Sequence, residues 1–384
     1  MSRHKSSSAS EETASILEYF AAIPDPRIDR TRLHPLTSIL VLSLVAVICG
    51  ADSFVGIEEF GQAKEEWLKT FLDLPNGIPS HDTLGRVFAI LDPVALGDAF
   101  RGWMRTVAGF TKGGVVALDG KTLRRSFRKR GSGFIHMVSA WSAQNRVVLG
   151  QVKTEEKSNE ITAIPRLLDL LQIKNCMVTI DAMGCQKEIA KKIVDGGADY
   201  LLAVKENQPT LCADIVALFE EARQDPSILA SMDFHSTQEK GHGRKEVRRC
   251  WTTPLVDRIS QRAQWQGLRT LVLIESERTV EGKTSQEQRY YICSRSSLSA
   301  KSAMADARSH WGIENGLHWV LDIAFREDDC RIRAGYAGEN FAVMRHIALN
   351  LLKAVKGTKV GIKNRRLRAG WDQAFMLRVL GAFS

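Results

Sequence analysis

The sequence predicts a mixed α/β protein: one sheet with helices on its faces, a helical front domain, and a β-rich insertion. Three observations predict it. From Thr13 to about Phe110, apolar residues recur at helical spacing. Beyond Thr111-Lys-Gly-Gly114, short apolar runs alternate with amphipathic stretches in the order β-β-β-α-β-α-β-α. Residues 231 to 297 change pattern again, with strand-like runs and no helical period.

Composition narrows the class. The chain has 384 residues, with 53 Lys plus Arg against 44 Asp plus Glu, a net charge of +9. That length accommodates about two to three domains. The 44% apolar and 25% charged residues exclude a largely disordered or collagen-like chain. The positive excess fits a polyanionic partner, and equally a basic soluble protein with none. The run Leu36 to Gly50 is shorter than the roughly 20 residues of a bilayer span, and it follows too long a polar stretch for a secretory signal. It reads as a buried core helix, which implies a cytosolic protein without a membrane partner. Seven scattered cysteines with no C-x-x-C pair support neither a disulfide framework nor a zinc ribbon.

In chain order, residues 1–12 are Ser-rich and read as a disordered tail. In the helical domain, 13–110, Ile16, Leu17 and Phe20 mark a first helix that Pro24-Asp-Pro26 stops. Leu36 to Ile48 is the buried helix and Phe54 to Phe71 an amphipathic one. Ser80 N-caps a helix carrying Leu84, Val87, Phe88 and Leu91, and Pro93 opens another. Such a series is either a helix-turn-helix unit with the Ser80 helix in DNA, or an ordinary packing domain. The second is preferred because no base-reading residue stands out.

The core's first part, 115–225, begins with the strand Val115 to Leu118 and the hairpin Phe134–Ser142/Arg146–Lys153. A helix from Ile161 to Leu171, a strand from Cys176 to Ile180 and a helix from Gln186 to Val194 follow. The strand Tyr200 to Val204 and a helix from Pro209 to Ala222 complete it. The insertion, 226–297, holds strands at Arg269–Ser276 and Tyr290–Ser294 around a polar turn from Val280 to Glu287. Core helices occupy 298–353, one from Lys301 to Ala324 and one from Glu339 to Lys353, and 354–384 is a basic C-terminal segment.

Asp119 and Asp181 each follow an apolar strand, so their carboxylates stand at the sheet's carboxyl edge, where α/β proteins place their sites. A turn or helix cap is the competing explanation for each. Gly120-Lys-Thr122 is not a phosphate-binding loop: the position five before Gly120 is Val115, and Asp119 stands inside the would-be loop. Farther on, His310, Glu314, His318 and Asp322 recur every four residues as one polar stripe. Such a stripe is either solvated surface or a transition-metal site. Gly312 and Gly316 each cost about 1 kcal/mol in a helix, which implies a close approach there. Asp119, Asp181 and Glu314 together have the chemistry to bind two Mg²⁺ ions, which take hard oxygen ligands and can drive phosphodiester cleavage.

Val115-Val-Ala-Leu-Asp119-Gly-Lys-Thr122, Thr179-Ile-Asp181-Ala-Met-Gly184 and His310-Trp-Gly-Ile-Glu314-Asn315 resemble, in this order, the DDE transposases of bacterial insertion sequences. The nearest group is that related to the H-repeat-associated proteins of Rhs elements. His34-Pro-Leu36, Ala51-Asp-Ser-Phe54, Pro79-Ser-His-Asp-Thr83 and Lys363-Asn-Arg-Arg-Leu-Arg-Ala-Gly-Trp371 extend the resemblance over nearly the whole chain. It implies a ribonuclease-H-like core with a β-rich insertion before the third acid, which fits the 132 residues between Asp181 and Glu314. It further implies that Asp119, Asp181 and Glu314 bind Mg²⁺, with Mn²⁺ a substitute. The wider class carries Tyr, Arg and Lys around its Glu; the matching positions here hold Ala307, His310 and Leu321. His310 then stands in for the Arg as a fourth catalytic residue.

The same resemblance makes three basic runs candidate DNA contacts. Lys121, Arg124, Arg125, Arg128, Lys129 and Arg130 follow the first acid; Arg244, Lys245, Arg248 and Arg249 lie in the insertion; Lys363, Arg365, Arg366 and Arg368 lie near the C-terminus. Trp141, Trp251 and Trp265 could stack on splayed bases, although buried packing explains each better. The implied activity is cleavage at element ends and strand transfer into target DNA, by a homodimer acting on double-stranded DNA in the cytoplasm at the nucleoid. Three alternatives stand beside it: a ribonuclease-H-like nuclease or resolvase without strand transfer, a catalytically inactive DNA-binding remnant, and an unrelated transition-metal hydrolase.

Overall fold

The computed structural model describes residues 16–107, 113–124, 134–154, 160–241 and 243–382. The expected tail 1–12 and the basic residues Arg125, Arg128, Lys129 and Arg130 lie outside them. The chain divides into two compact units: residues 1–109 with 323–384, and residues 110–322.

The first unit is helical. Its N-terminal part contains α1 (Ile16–Ala21), α2 (Leu36–Ile48), α3 (Phe54–Ala63), α4 (Glu65–Leu68), α5 (His81–Ile90) and α6 (Pro93–Val107). Twelve of the 13 residues of α2 are buried, so this helix is a core element, apolar on all sides. Its polar atoms are satisfied: Ser43 Oγ donates to the Ile39 carbonyl at 2.7 Å and Ser38 Oγ to the Asp73 carbonyl at 2.8 Å. Ser80 caps α5 as its sequence implies, accepting from the Thr83 N–H. The single helix expected over Phe54–Phe71 is instead two, divided at Lys64 (φ −122°).

The helix Ala337–Ala354 also belongs to this unit, although 298–353 was expected to be core. Its burial explains the placement: 15 of its 18 residues are buried. Phe341 joins Phe54 and Phe88 in an aromatic cluster, and Asn340 Nδ2 donates to the Phe88 and Leu91 carbonyls at the end of α5. The basic C-terminal run is likewise partly structural. Arg366 is buried, donates to the Val47, Ala51 and Ala324 carbonyls, and meets Asp52 at 3.0 Å. Arg365 donates to the Leu352, Val355, Thr358 and Val360 carbonyls. A guanidinium with five donors suits such carbonyl clusters.

The second unit is built on a nine-stranded sheet. Its strands are β1 (Val115–Leu123), β2 (Ile135–Ser142), β3 (Val147–Lys153), β4 (Met177–Ile180), β5 (Asp199–Val204), β6 (Asp233–Gly241), β7 (Arg244–Thr253), β8 (Thr270–Val280) and β9 (Lys283–Cys293). They are ordered β3-β2-β1-β4-β5-β9-β8-β7-β6. β1 to β3 are antiparallel, while β4 and β5 run parallel to β1. This is a ribonuclease-H-like mixed sheet.

The helices are α7 (Glu160–Leu170), α8 (Lys187–Asp195), α9 (Pro209–Gln224), α10 (Pro226–Ala230), α11 (Ala300–His310) and α12 (Trp319–Phe325). Strand alternation separates two cores. Val178, Ile180, Tyr200 and Leu202 pack with α7, α8 and α9, whereas Met177 and Leu201 pack with α11.

Four expectations need correction. β1 does not stop at Asp119: it continues to Leu123 because β2 pairs with it over that length. The insertion contains β6 and β7 as well, and it extends the core sheet because β9 pairs antiparallel with β5. The polar turn expected over Val280–Glu287 contracts to Glu281 and Gly282, both at positive φ (49° and 76°), which is the backbone of a two-residue hairpin loop. Finally, the helix expected over Lys301–Ala324 is not one regular helix. Its α-turns are interrupted by a π-turn over Glu314–His318, in which the Trp319 N–H donates to the Glu314 carbonyl.

Candidate active site

The register of two strands brings the first two acids together. Leu118 of β1 stands opposite Ile180 of β4 in a parallel pair, so Asp119 and Asp181 are the next pair, on strands about 4.8 Å apart. Val116, Leu118, Val178 and Ile180 point toward α7 and α8. The alternation therefore turns Asp119 and Asp181 to the other face, where α11 lies and Glu314 follows it.

Each acid is fixed by its own backbone. Asp119 Oδ1 accepts the Gly120 N–H at 2.9 Å, and Asp181 Oδ1 accepts those of Met183 and Gly184 at 3.0 and 3.3 Å. The turn role weighed for Asp181 is thus real, and its second oxygen remains for other work. Burial pushes the Asp119 carboxyl up to about 7, and the charges of Glu160, Asp181 and Glu314 add to the rise. Asp181 is raised by burial and by Glu160. Glu314 is raised by burial and by Asp181, against the downward pull of Arg289.

Histidines line the same pocket. His318 Nδ1 lies 3.4 Å from Asp119 Oδ2, and burial lowers its pKa to about 4, so it is neutral at pH 7. His310 Nδ1 meets Thr179 Oγ1 of β4 at 3.2 Å, and burial lowers it to about 4 as well. His310 is thus neutral and tied to β4, unlike the always-charged arginine whose position it holds. A cation from the insertion also lies here: Arg289 of β9 stands 4.3 Å above the Trp311 ring, is paired with Glu287 at 2.7 Å, and its field reaches Glu314.

Sequence reasoning missed a fourth acid. Glu160, the first residue of α7, meets His136 Nε2 at 2.8 Å, and His136 Nδ1 meets Thr122 Oγ1 at 2.8 Å. A Cβ at Gly120 would collide with both Glu160 and His136. An acid in a helix's first turn is ordinary dipole chemistry, so Glu160 carried no distinguishing signal. Asp322, also unassigned from sequence, binds Lys121 Nζ at 2.6 Å.

The basic residues divide by setting. Lys121 is committed to Asp322 and its side chain is only 10% exposed, which sets it apart from Arg124 of the same run. Arg124 is exposed at the end of β1. On β7, Arg248 is paired with Glu246 and Glu239, Arg249 stands 3.9 Å from Glu277, Arg244 3.7 Å from Glu246, and Lys245 is exposed. A groove of about 650 Å³ lined by Arg244, Arg248, Arg278, Arg289 and Arg308 runs to Trp311 and Asn315, beside Glu314. Trp141 and Trp265 are buried, and Trp251 packs on Phe234, so none offers a free stacking face.

Three carboxylates whose pKa values are raised by burial, and in Asp119 also by the charges of the other two, are a donor set suited to a hard divalent cation. Among the described residues, however, no three His, Cys, Asp or Glu side chains are close enough together to hold an ion as they stand.

Known proteins place the chain. The family described as "Transposase DDE domain" matches residues 111–351, and "DDE_Tnp_1-associated" matches residues 17–104. "Putative transposase YncI" of Escherichia coli O157:H7 is 45% identical, covering 96% of this chain and 95% of its own length. "Putative protein YbfL" and "H repeat-associated putative transposase YhhI" of Escherichia coli K12 are 42% and 41% identical, each over 96% of this chain and 98% of the relative. A solved piggyBac transposase synaptic complex with hairpin DNA covers 95% of this chain and 78% of its own, at 10% identity and a TM-score of 0.41. That likeness is too slight to bear on fold or chemistry. The match over residues 111–351 and the near full-length relatives make this chain a member of the transposase DDE domain family.

Proposed function

We propose that the protein cleaves DNA at the ends of an insertion element and joins those ends to target DNA, using Asp119, Asp181 and Glu314 with Mg²⁺ or, in its place, Mn²⁺. The observation that carries this reading is the parallel register that sets Asp119 beside Asp181 on the face followed by the Glu314 π-turn. Bound there, the cation would activate the attacking oxygen and stabilise the leaving one. Its binding would have to draw the carboxylates closer together, and its charge would offset the burial, and for Asp119 the neighbouring negative charges, that raise their pKa values.

The chain's own residues do the rest. Asp119 and Asp181 hold the charge at the sheet edge, and Glu314 approaches from the helix. His310 positions that helix by anchoring it to Thr179. The groove beside Glu314, in which five arginines outnumber Glu246 and Glu287, offers phosphate contacts for a strand leaving the acids, and Arg289 is the one stacked on Trp311. We place the protein in the cytoplasm at the nucleoid, acting as a homodimer on double-stranded DNA because two ends must be held at once.

The test incubates the protein with Mg²⁺ and DNA bearing its flanking element ends, beside Asp119→Asn, Asp181→Asn and Glu314→Gln, and resolves cut and joined products. Loss of both by at least about 10³-fold in each variant supports the mechanism, a magnitude typical of removing a group that acts on the reacting atoms. Unchanged cleavage by all three overturns it. Cutting without joining favours a nuclease or resolvase, and no cutting by the parent favours an inactive remnant.

A further inference from the structure

Residues 354–384 contain seven Lys or Arg and a single Asp, so they carry most of the chain's excess of nine positive charges. Two of these cations, Arg365 and Arg366, are consumed by backbone carbonyls. What remains outside is organised. The helix Ile362–Trp371 presents Lys363, Asn364, Leu367, Arg368 and Trp371 on one exposed half, while Arg366 and Ala369 fill its buried half. The five exposed positions fall within less than half a turn of one another at 100° per residue. Trp371, at 78%, is more exposed than any other large apolar residue described, and Leu367 (40%) and Leu377 (50%) flank it in sequence. Lys356, Lys359 and Arg378 are exposed in the same segment. The one acid, Asp372, is spent on the Phe375 N–H at 2.9 Å and on Arg368 at 3.5 Å.

Scattered exposed apolar residues need no explanation, but an almost bare indole on an acid-free basic helix face is a different feature. We propose that this face, which belongs to the helical unit and not to the unit that holds the acids, is a docking surface for duplex DNA, in which Lys363 and Arg368 contact phosphates and Trp371 packs as an apolar wedge in the minor groove. Charge complementarity commits the face to a polyanion, and the apolar wedge flanked by cations is how minor-groove proteins grip without base contacts. The choice of DNA over other polyanionic surfaces rests on the reading that DNA is the substrate.

The test is fluorescence anisotropy of a short random-sequence duplex lacking element ends, titrated with full-length protein at several salt concentrations and without Mg²⁺. Trp371→Ala is expected to weaken binding about 10-fold, with Trp371→Phe recovering part of it. Lys363→Ala with Arg368→Ala is expected to lower the slope of log affinity against log salt by about two. If Trp371→Ala weakens duplex binding while the parent cuts no element ends, the docking face stands and the catalytic reading fails. Duplex affinity unchanged by both sets of substitutions overturns the proposal. So does loss confined to vesicles of phosphatidylserine and phosphatidylcholine, or a change confined to the sedimentation of the free protein, which would make the face a membrane or self-association surface. Circular dichroism melts of each variant show whether it is folded.

Discussion

Gly316 lies directly against Trp141: a Cβ on Gly316 would approach the indole's Cζ2 to 2.9 Å and its Cη2 to 3.3 Å. Trp141 is buried on β2 and pairs in register with Ala117 of β1. The π-turn that carries Glu314 is therefore seated on a ring whose position the sheet dictates.

Gly316→Ala tests that seat. Helix propensity alone would make the change stabilising by about 1 kcal/mol. Overpacking against a fixed indole costs about 1–3 kcal/mol, so a net loss is expected, with cleavage falling more steeply than stability. Urea denaturation and a cleavage assay measure the two, and combining the change with Trp141→Phe should restore part of each. A gain in stability from Gly316→Ala alone would show that the contact is slack.

The ion pair of Lys121 with Asp322 predicts a stability effect where the sequence pointed to a binding effect. Lys121→Met leaves Asp322 without this cation in a partly buried site and is expected to cost about 1–3 kcal/mol. Lys121→Met with Asp322→Leu should cost less than the sum of the single changes. The salt slope of DNA binding should be unaltered by Lys121→Met and reduced by Arg278→Ala, whose side chain is exposed in the groove. A salt slope that falls with Lys121→Met would return this lysine to the DNA interface.

Arg289→Ala removes the guanidinium that lies over Trp311 and acts on Glu314. Cleavage is expected to fall about 10- to 100-fold without loss of fold, the scale of one charged contact of about 1.5–3 kcal/mol. Arg289→Lys keeps the charge but loses the planar stack, so it should recover only part. Equal activity of all three proteins would remove Arg289 from the site.

Asp306 supplies a pH test away from the three acids. Its Oδ2 is buried without a hydrogen-bond partner, and burial pushes the carboxyl up to about 6, with Arg295 pulling the other way. An unfolded Asp titrates near about 3.9, so the native state binds this proton more tightly. The resulting stability is fully present below about pH 4 and is lost as pH rises through about 6. Asp306→Asn should thus be the more stable protein at pH 8, by on the order of 1–2 kcal/mol, and the advantage should vanish near pH 4. Denaturant melts at pH 4, 6 and 8 decide it; a difference independent of pH would mean the carboxyl is not perturbed.

Legibility in the sequence followed local physics. The apolar runs before Asp119 and Asp181 were readable because a strand buried on both faces has little choice of residue, and their shared edge followed from the parallel order. Ser80 and the hairpin around Gln144-Asn145 were readable because caps and turns have their own chemistry. β6 and β7 were not, because the outer half of each is almost wholly polar and shows no polar–apolar alternation. Glu160 and His136 reach the site through folding over long stretches of chain, and nothing in either residue's immediate neighbourhood marks it. Gly312 and Gly316 did announce a close approach, but the partner, Trp141, could come only from the sheet. Within the basic run near the C-terminus, Arg365 and Arg366 misled, since charge counting cannot distinguish a solvated guanidinium from one held by backbone carbonyls.

The helical unit draws on both ends of the chain, with α2 and the helix Ala337–Ala354 buried within it. On the ribosome, α2 emerges some 300 residues before the helix that completes its packing. A nascent or truncated chain that stops before residue 337 therefore leaves the Leu-, Ile- and Val-rich side of α2 that this helix covers open to chaperones and proteases, with α1 and α3 covering the rest. Only a copy read through to its final helices can hide that side, so damaged copies of the gene would yield protein marked for removal by the very segment that anchors the intact one.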